Sequence, residues 1–451
     1  MLYFILKVIF RLALRVFFRR FKVNNRHLLP KQGPLIVVSN HPNTFMDPLV
    51  TASLMQQNVF FLVKSSFFKP GWQAWLLQKL YMIPVHRAED VGKGAAKKNT
   101  DTFEKCYEFL GNGGTLMIFP EGNSFMQRRL RPIKTGTARI GLGAEATQNF
   151  QLGLQIVPVG VNYSDPSRFR SDVFVNVGKP IPVQEYQAAY EADAFKAAHQ
   201  LTHDLKQRME SLIIHTQTEE EDLLARQIEA VYQETYLQEA NIPLSNVKER
   251  FQFSKGIVES IRYFESREPK RIHRLRKHLE DYLQHLDQLG LHPDALKDIP
   301  RKRQVAWGTV KTLVYLVLGF PLYLFGLVHN YVPYMLPSAI GRKLTKDIEF
   351  HAPIMMSVGI FTFPLFYALV GWGVHAWGGL CGWALAGYLI LLPLTGFLVL
   401  HYWHRVQVAR HHWIFFTLFY RKTTVWQHLL AQRQQLIQEL EQAKQDFSTA
   451  L

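Results

Sequence analysis

The sequence predicts an α/β domain with a mixed sheet flanked by helices, an amphipathic helix ahead of it and a helical membrane domain behind it. Three observations predict this. Short apolar runs bounded by turn residues alternate with polar, helix-forming stretches between about 30 and 215. The opening MLYFILKVIFRLALRVFFRRFKV repeats a cation every four residues, at Lys7, Arg11, Arg15 and Arg19, on an apolar body. From about 305 to 402 the chain turns apolar, with very few charges. The expected divisions are 1–29 (amphipathic anchor helix), 30–215 (α/β domain), 216–304 (charged helical connection), 305–403 (membrane segments) and 404–451 (basic amphipathic helix).

Each element has its own reason. In the first 23 residues the charges are spread along the helix rather than gathered ahead of an apolar core, so the segment reads as an in-plane anchor on an anionic leaflet and not as a signal peptide. LIVVS at Leu35, VFFLV at Val59, TLMIF at Thr115, LQIVPVGV at Leu154 and VFVNVG at Val173 read as buried strands. AAKKNTDTFEKCYEFLGNGG reads as a helix that ends in a Gly cluster. Strands alternating with helices favour a parallel or mixed sheet. The Glu-, Gln-, Lys- and Arg-rich stretch from 184 to 303 reads as solvent-facing helix. Three apolar segments, 305–328, 353–373 and 380–402, approach or exceed the ~20 residues that cross a bilayer.

Composition limits the chemistry. A net charge of +16 points to anionic partners, whether nucleic acid, phosphorylated metabolites or an anionic membrane face; membrane lipids and a phosphorylated substrate are the expected ones, and nucleic acid is not. Two distant cysteines, Cys106 and Cys381, suggest neither a disulfide framework nor a zinc site. There is no G-x-S-x-G, Walker A, H-E-x-x-H or C-x-x-C pattern, which argues against serine hydrolases, P-loop enzymes and zincins. No metal is expected, and His401, His404, His411 and His412 read as interfacial residues at a helix end.

The stretch SNHPNTFMDPLV, 39–50, follows the first strand. Pro42 biases His41 away from helix, so His41 belongs in a loop at the carboxyl end of a strand, where α/β sheets place ligands. Asp47 precedes Pro48, which fits an N-cap with Pro at the first helical position. Alternatively, Asp47 orients His41 as a base by holding one ring N–H and leaving the other nitrogen free. FPEGNSF, 119–125, is a strand-end loop carrying Glu121 and Gly122. RRLRPIKTG, 128–136, reads either as a solvated basic loop or as a phosphate cradle of Arg128, Arg129, Arg131 and Lys134.

In order, a loop His…Asp, then IPVHR (83–87), FPEG (119–122) and VPVG (157–160) resemble the four blocks of the glycerolipid acyltransferases, the superfamily of glycerol-3-phosphate and 1-acylglycerol-3-phosphate acyltransferases. The resemblance covers roughly 30–215. It implies that His41 is the general base, Asp47 its orienting carboxylate, Arg87 a ligand of the acceptor's phosphate, and Glu121 and Gly122 part of that phosphate site. Pro158 falls on the acyl side, and Lys134 stands where such enzymes often carry K-x-G.

Two departures stand out. Five residues separate His41 from Asp47, where most members have four, and the longer spacing looks like that of a subgroup acting on glycerol-3-phosphate or dihydroxyacetone phosphate. Neither spacing aligns the pair on a regular helix, so a turn must do so. The third block reads PEGNS without the usual arginine, so its charge is expected from Arg128, Arg129 or Arg131.

The resemblance implies a membrane-bound O-acyltransferase without a cofactor, using acyl-CoA or acyl carrier protein as co-substrate. The expected acceptor is 1-acylglycerol-3-phosphate, with glycerol-3-phosphate or dihydroxyacetone phosphate as the alternative. A rival of another class is a non-catalytic lipid-binding scaffold or transporter subunit. Basic residues on both flanks of the first apolar segment (Arg301, Lys302 and Arg303; Arg342, Lys343 and Lys346) place both ends in the cytoplasm. Pro321, Pro333 and Pro337 are expected to break it, giving a re-entrant or interfacial segment, while the next two segments form a hairpin.

Overall fold

The computed structural model describes residues 2–68, 70–86, 95–291, 302–421 and 423–450. The chain forms two compact units, Met1–Gln217 with Gly341–Met356, and Thr218–Ile340 with Ser357–Leu451.

The first unit is built on a sheet of β1 (Arg20–Asn24), β2 (Leu35–Ser39), β3 (Val59–Lys64), β4 (Met82–Val85), β5 (Thr115–Ile118), β6 (Gln155–Tyr163), β7 (Asp172–Val177) and β8 (Ile181–Pro182). The strand order is β1-β7-β6-β2-β5-β3-β4, with β8 also on β6. β2 lies parallel between β5 and β6, whereas β7 and β8 run antiparallel to β6, so the sheet is mixed as expected. β2 is buried along its whole length, which fits its uninterrupted apolar run. Pro158 tolerates its place inside β6 because β8 pairs with Gln155 and Ile156 and β7 begins at Val159, so the missing N–H falls in the gap between them.

Helices cover both faces. In chain order they are α1 (Leu2–Phe17), α2 (Met46–Leu54), α3 (Trp72–Lys79), α4 (Ala95–Gly111), α5 (Gly136–Thr147), α6 (Gln187–Ala192) and α7 (Ala194–Leu212). One core joins Ile36, Leu116 and Ile156 to Leu110 of α4, Ile140 of α5 and Leu201 of α7. The other joins Val37, Val157 and Val175 to Leu14 of α1, Met46 and Val50 of α2, and Ala352 and Met356.

Two expectations for the amino-terminal segment change. The helix ends at Phe17, and Arg20–Asn24 is an edge strand parallel to β7 rather than more helix. Arg19 and Arg20 both reach Asp172, which starts β7. The basic stripe also points inward in part. Lys7 donates to the carbonyls of Gln56 and Gln57, and Arg11 to those of Ser53 and Met55, at 3.0–3.1 Å. These carbonyls lie at or just beyond the carboxyl end of α2, where helices leave acceptors unpaired and favour cations. Phe4, Val8, Leu12 and Val16, spaced by four, are left exposed as an apolar stripe.

The second unit is helical: α8 (Glu219–Glu239), α9 (Val247–Arg267), α10 (Pro269–Gln288), α11 (Lys302–Leu344), α12 (His351–Gly378), α13 (Gly382–Arg421) and α14 (Thr423–Ala450), with the ends of α11 and α12 nearest Gly341–Met356 counted in the first. α8, α9, α10 and α14 pack through Leu224, Val258, Leu279, Tyr282 and Leu436. They frame a half-open pocket of about 310 Å³ lined by Tyr232, Phe253, Ile257, Phe264, Leu440 and Phe447 among others, none of them a residue that the motifs single out.

Lys311–Leu344, Ile348–Gly378 and Gly382–Gln407 are long and apolar enough to cross a membrane. Asn330, buried in α11, donates to the carbonyls of Gly326 and Leu392 and accepts from the Tyr367 hydroxyl. The expected break in α11 does not occur: the helix runs through Pro321, Pro333 and Pro337. Each proline removes one backbone bond and bends the helix, but the flanking bonds carry it on. α13 likewise runs past 403, so the basic tail begins within a helix and not as a separate one.

Candidate active site

β2 delivers the chain to the site. Two residues beyond its end, His41 lies in a loop, and the next helix starts at Met46, two residues earlier than an Asp47 cap requires. Asp47 sits in the first turn of α2 and is fully buried. The cap reading is therefore corrected. A helix that starts at Met46 turns the Asp47 carboxylate back into the loop.

Asp47 is surrounded by donors. Its Oδ2 lies 2.9 Å from His41 Nδ1 and accepts the Asn43 amide at 2.7 Å, and its Oδ1 accepts the Tyr163 hydroxyl at 2.7 Å. A carboxylate with only donors around it is held as an acceptor, so Nδ1 carries the imidazole proton. Nε2 is then the unprotonated nitrogen, and it meets no partner among the described residues. The ring is 18% exposed and stacks on Phe119 with centroids 4.2 Å apart. The site thus holds an oriented imidazole with an open, basic nitrogen.

Tyr163 ends β6 and is half-buried against the core. Burial first, and then the Asp47 charge it touches, push its hydroxyl well above the usual phenol range, so it stays protonated and donating. Asn40 latches the same loop to β6, because its side-chain amide donates to the Val161 carbonyl at 2.9 Å and its oxygen accepts the Val161 N–H at 2.7 Å.

Glu121 lies inward. Its two oxygens accept the backbone N–H groups of His41 and Arg131, each at 2.9 Å. It ties the loop after β5 to the loop after β2, and the Phe125 amide adds a bond to the His41 carbonyl at 3.2 Å. Burial raises the Glu121 carboxyl above its ordinary value, and the two amide donors pull against that rise.

Gly122 turns at φ +79°, and a Cβ there would lie 3.2 Å from Lys134 Nζ. Lys134 therefore lies across this turn, and its amide donates to the Pro120 carbonyl. Arg131 stacks its guanidinium 3.7 Å from the Phe125 ring centroid and donates to Gln127, and its buried Nε meets no acceptor among the described residues. Arg129 donates to the Gln217 carbonyl and to Gln127, and the Arg128 carbonyl takes both the amide and the hydroxyl of Thr216.

The structure thus brings together His41, Asp47, Glu121, Gly122, Arg131 and Lys134. Arg129 is directed towards Gln217, and Pro158 is buried in the sheet opposite Val38 in register. Arg87 lies outside the described residues. Motif reading missed Asn40 and Tyr163. Their partners are 121 and 116 residues away, and the only sequence sign of either is a polar residue at the end of an apolar run.

Residues 20–162 match a family model described as Acyltransferase. Glycerol-3-phosphate O-acyltransferase 2 of Saccharomyces cerevisiae is 26% identical over half of this chain and 29% of its own length. The chloroplastic 1-acyl-sn-glycerol-3-phosphate acyltransferase BAT2 of Brassica napus is 25% identical over 40% of this chain and 50% of its own. The chain spans half or less of the length of the curated relatives it matches. The crystal structure of the 1-acyl-sn-glycerophosphate acyltransferase PlsC from Thermotoga maritima aligns at 19% identity and a TM-score of 0.33, over 45% of this chain and 78% of that one.

Proposed function

We propose, from the premise that residues 20–162 are an acyltransferase domain of the glycerolipid acyltransferase superfamily, that this protein moves a fatty acyl group from a thioester to a hydroxyl of 1-acylglycerol-3-phosphate. The observation that carries the proposal is the His41–Asp47 pair with Nε2 left open. Nε2 takes the proton of the acceptor hydroxyl as its oxygen attacks the thioester carbonyl. A C–O bond forms, the C–S bond breaks, and the proton passes from the imidazolium to the departing thiolate. A base positioned in this way contributes roughly 10²–10⁴ in rate. Lys134 and Arg131, beside the Glu121–Gly122 turn, supply the charge for the acceptor's phosphate. Glu121 acts through the backbone of His41 and Arg131.

Glycerol-3-phosphate is the second reading, and two observations favour it. His41 and Asp47 are separated by five residues, and the matched yeast relative is named for glycerol-3-phosphate. The donor is acyl-CoA or acyl carrier protein. The exposed apolar stripe of α1 and the membrane-length helices support action at a bilayer, and the cations Arg342, Lys343 and Lys346, in the part of the chain that belongs to the α/β unit, support its cytoplasmic face.

The test is release of free coenzyme A or unloaded acyl carrier protein by purified protein given acyl-CoA and acylated acyl carrier protein with each acceptor in turn. His41→Ala should abolish release in a folded, membrane-bound protein. Wild-type turnover in that variant, or no release with either acceptor, refutes the reading.

A further inference from the structure

The turn between His41 and Asp47 contains a residue in an unfavourable conformation. Thr44 has φ +32°, in the region that β-branched side chains avoid and that turns usually give to Gly, Asn or Asp. The Met46 amide closes this turn on the Asn43 carbonyl at 2.8 Å. The extra residue of the five-residue spacing is therefore absorbed by a left-handed position, and something must hold a threonine there.

The holder comes from far along the chain. The Thr44 hydroxyl donates to the Glu349 carbonyl at 3.0 Å, across 305 residues of sequence. Phe350 meets Phe45 edge-on, with centroids 6.0 Å apart, and Phe67 also meets Phe45 edge-on at 6.3 Å. Residues 345–350 join α11 to α12 and are themselves fixed. The Phe350 amide bonds the Asp347 carbonyl, the Asp347 amide bonds the Thr345 hydroxyl, and His351 Nε2 lies 3.1 Å from the Thr345 carbonyl. Just beyond, Ala352 and Met356 are buried in the same core as Met46 and Val50 of α2. The connector is thus seated in the same compact unit as the catalytic turn.

We propose that Ile348–Phe350 is a positioning element of the active site, which holds the His41–Asp47 turn through the Glu349 carbonyl on Thr44 and the Phe350 ring on Phe45. Thr44 is a positioning residue: it does not touch substrate, and it sets where Asp47 stands relative to His41. This rests on the acyltransferase reading. It adds that a segment outside the matched family region, lying between two membrane-length helices, completes the site.

The test uses the full-length protein with acyl-CoA and both acceptors. Thr44→Val keeps the branched shape and removes the donor. It should lower kcat about tenfold or more and leave both KM values within about twofold. Thr44→Ser restores the hydroxyl and should stay within about threefold of wild type. Wild-type kcat in Thr44→Val, an effect on KM instead of kcat, or Thr44→Ser failing as badly as Thr44→Val each overturns the proposal.

A contact assay is independent of turnover. With Cys381→Ser as background, Phe45→Cys and Phe350→Cys together should be bridged by a short bifunctional thiol reagent, and no bridging also overturns it. Should the wild type release no coenzyme A while the bridge forms, the acyltransferase reading falls and takes the catalytic role with it, while the contact itself stands.

Discussion

Removing the Tyr163 hydroxyl isolates one bond of the site. In Tyr163→Phe the ring keeps its place at the end of β6, stacked on Phe18 at 5.7 Å, and only the 2.7 Å donation to Asp47 Oδ1 is lost. Asp47 is completely buried, so the variant leaves a buried carboxylate oxygen short of its donor. A hydrogen bond to a charged acceptor is worth about 1.5–3 kcal/mol. Oδ2 keeps its bonds to His41 and Asn43, so the carboxylate stays in the site but is free to turn about them. If the whole bond energy serves to orient the pair, kcat falls by about 10- to 150-fold, and the donor and acceptor KM values do not change. Part of the same energy appears as lost stability, read as a lower melting temperature in detergent. The assay is initial-rate coenzyme A release over a matrix of both substrates, with melting curves alongside. A variant that melts earlier but turns over within about twofold of wild type shows the hydroxyl to be structural only, and refutes the reasoning.

Two other outcomes follow from the geometry. Lys134→Ala, which removes the ammonium lying across Gly122, should raise acceptor KM about tenfold with donor KM unchanged, as measured by the same substrate matrix, because only one phosphate contact is lost. In thiol labelling of native protein in sealed vesicles, Cys106 should stay unreactive at pH 8, because burial pushes its thiol up to about 12, whereas exposed Cys381, between α12 and α13, should be modified by a membrane-impermeant maleimide from the side opposite the α/β domain. Modification of Cys381 only from the same side as that domain refutes the hairpin topology.

The central strands were legible in the sequence because burial on both faces forces an unbroken apolar run, as in Leu35–Ser39 and Thr115–Ile118. β1 was not, since Arg20 and Lys22 alternate with Phe21 and Val23 at the end of a segment whose cations repeat at helical spacing. His41 and Asp47 were legible as residues and as a turn. The third ligand of the pair was hidden, because Tyr163 reaches Asp47 only once β6 lies beside β2. The same holds for Glu121, which motif order places near a phosphate and geometry ties to the backbone of His41 and Arg131. The prolines of α11 misled because a local rule about one missing hydrogen bond was weighed without the rest of a 43-residue helix.

The edge strand β1 has a consequence for how the chain is made. Arg20 meets its partner Asp172 across 152 residues. At ~5–20 residues per second, a ribosome needs roughly 8–30 s to supply that partner. An isolated helix forms within about a microsecond. For those seconds α1 has neither a finished sheet to bury Leu14 and Phe17 nor a β1–β7 pair to fix its end. Its apolar side is therefore exposed long before it meets its own fold. The order of synthesis presents that side first and closes the sheet over Leu14 and Phe17 only afterwards.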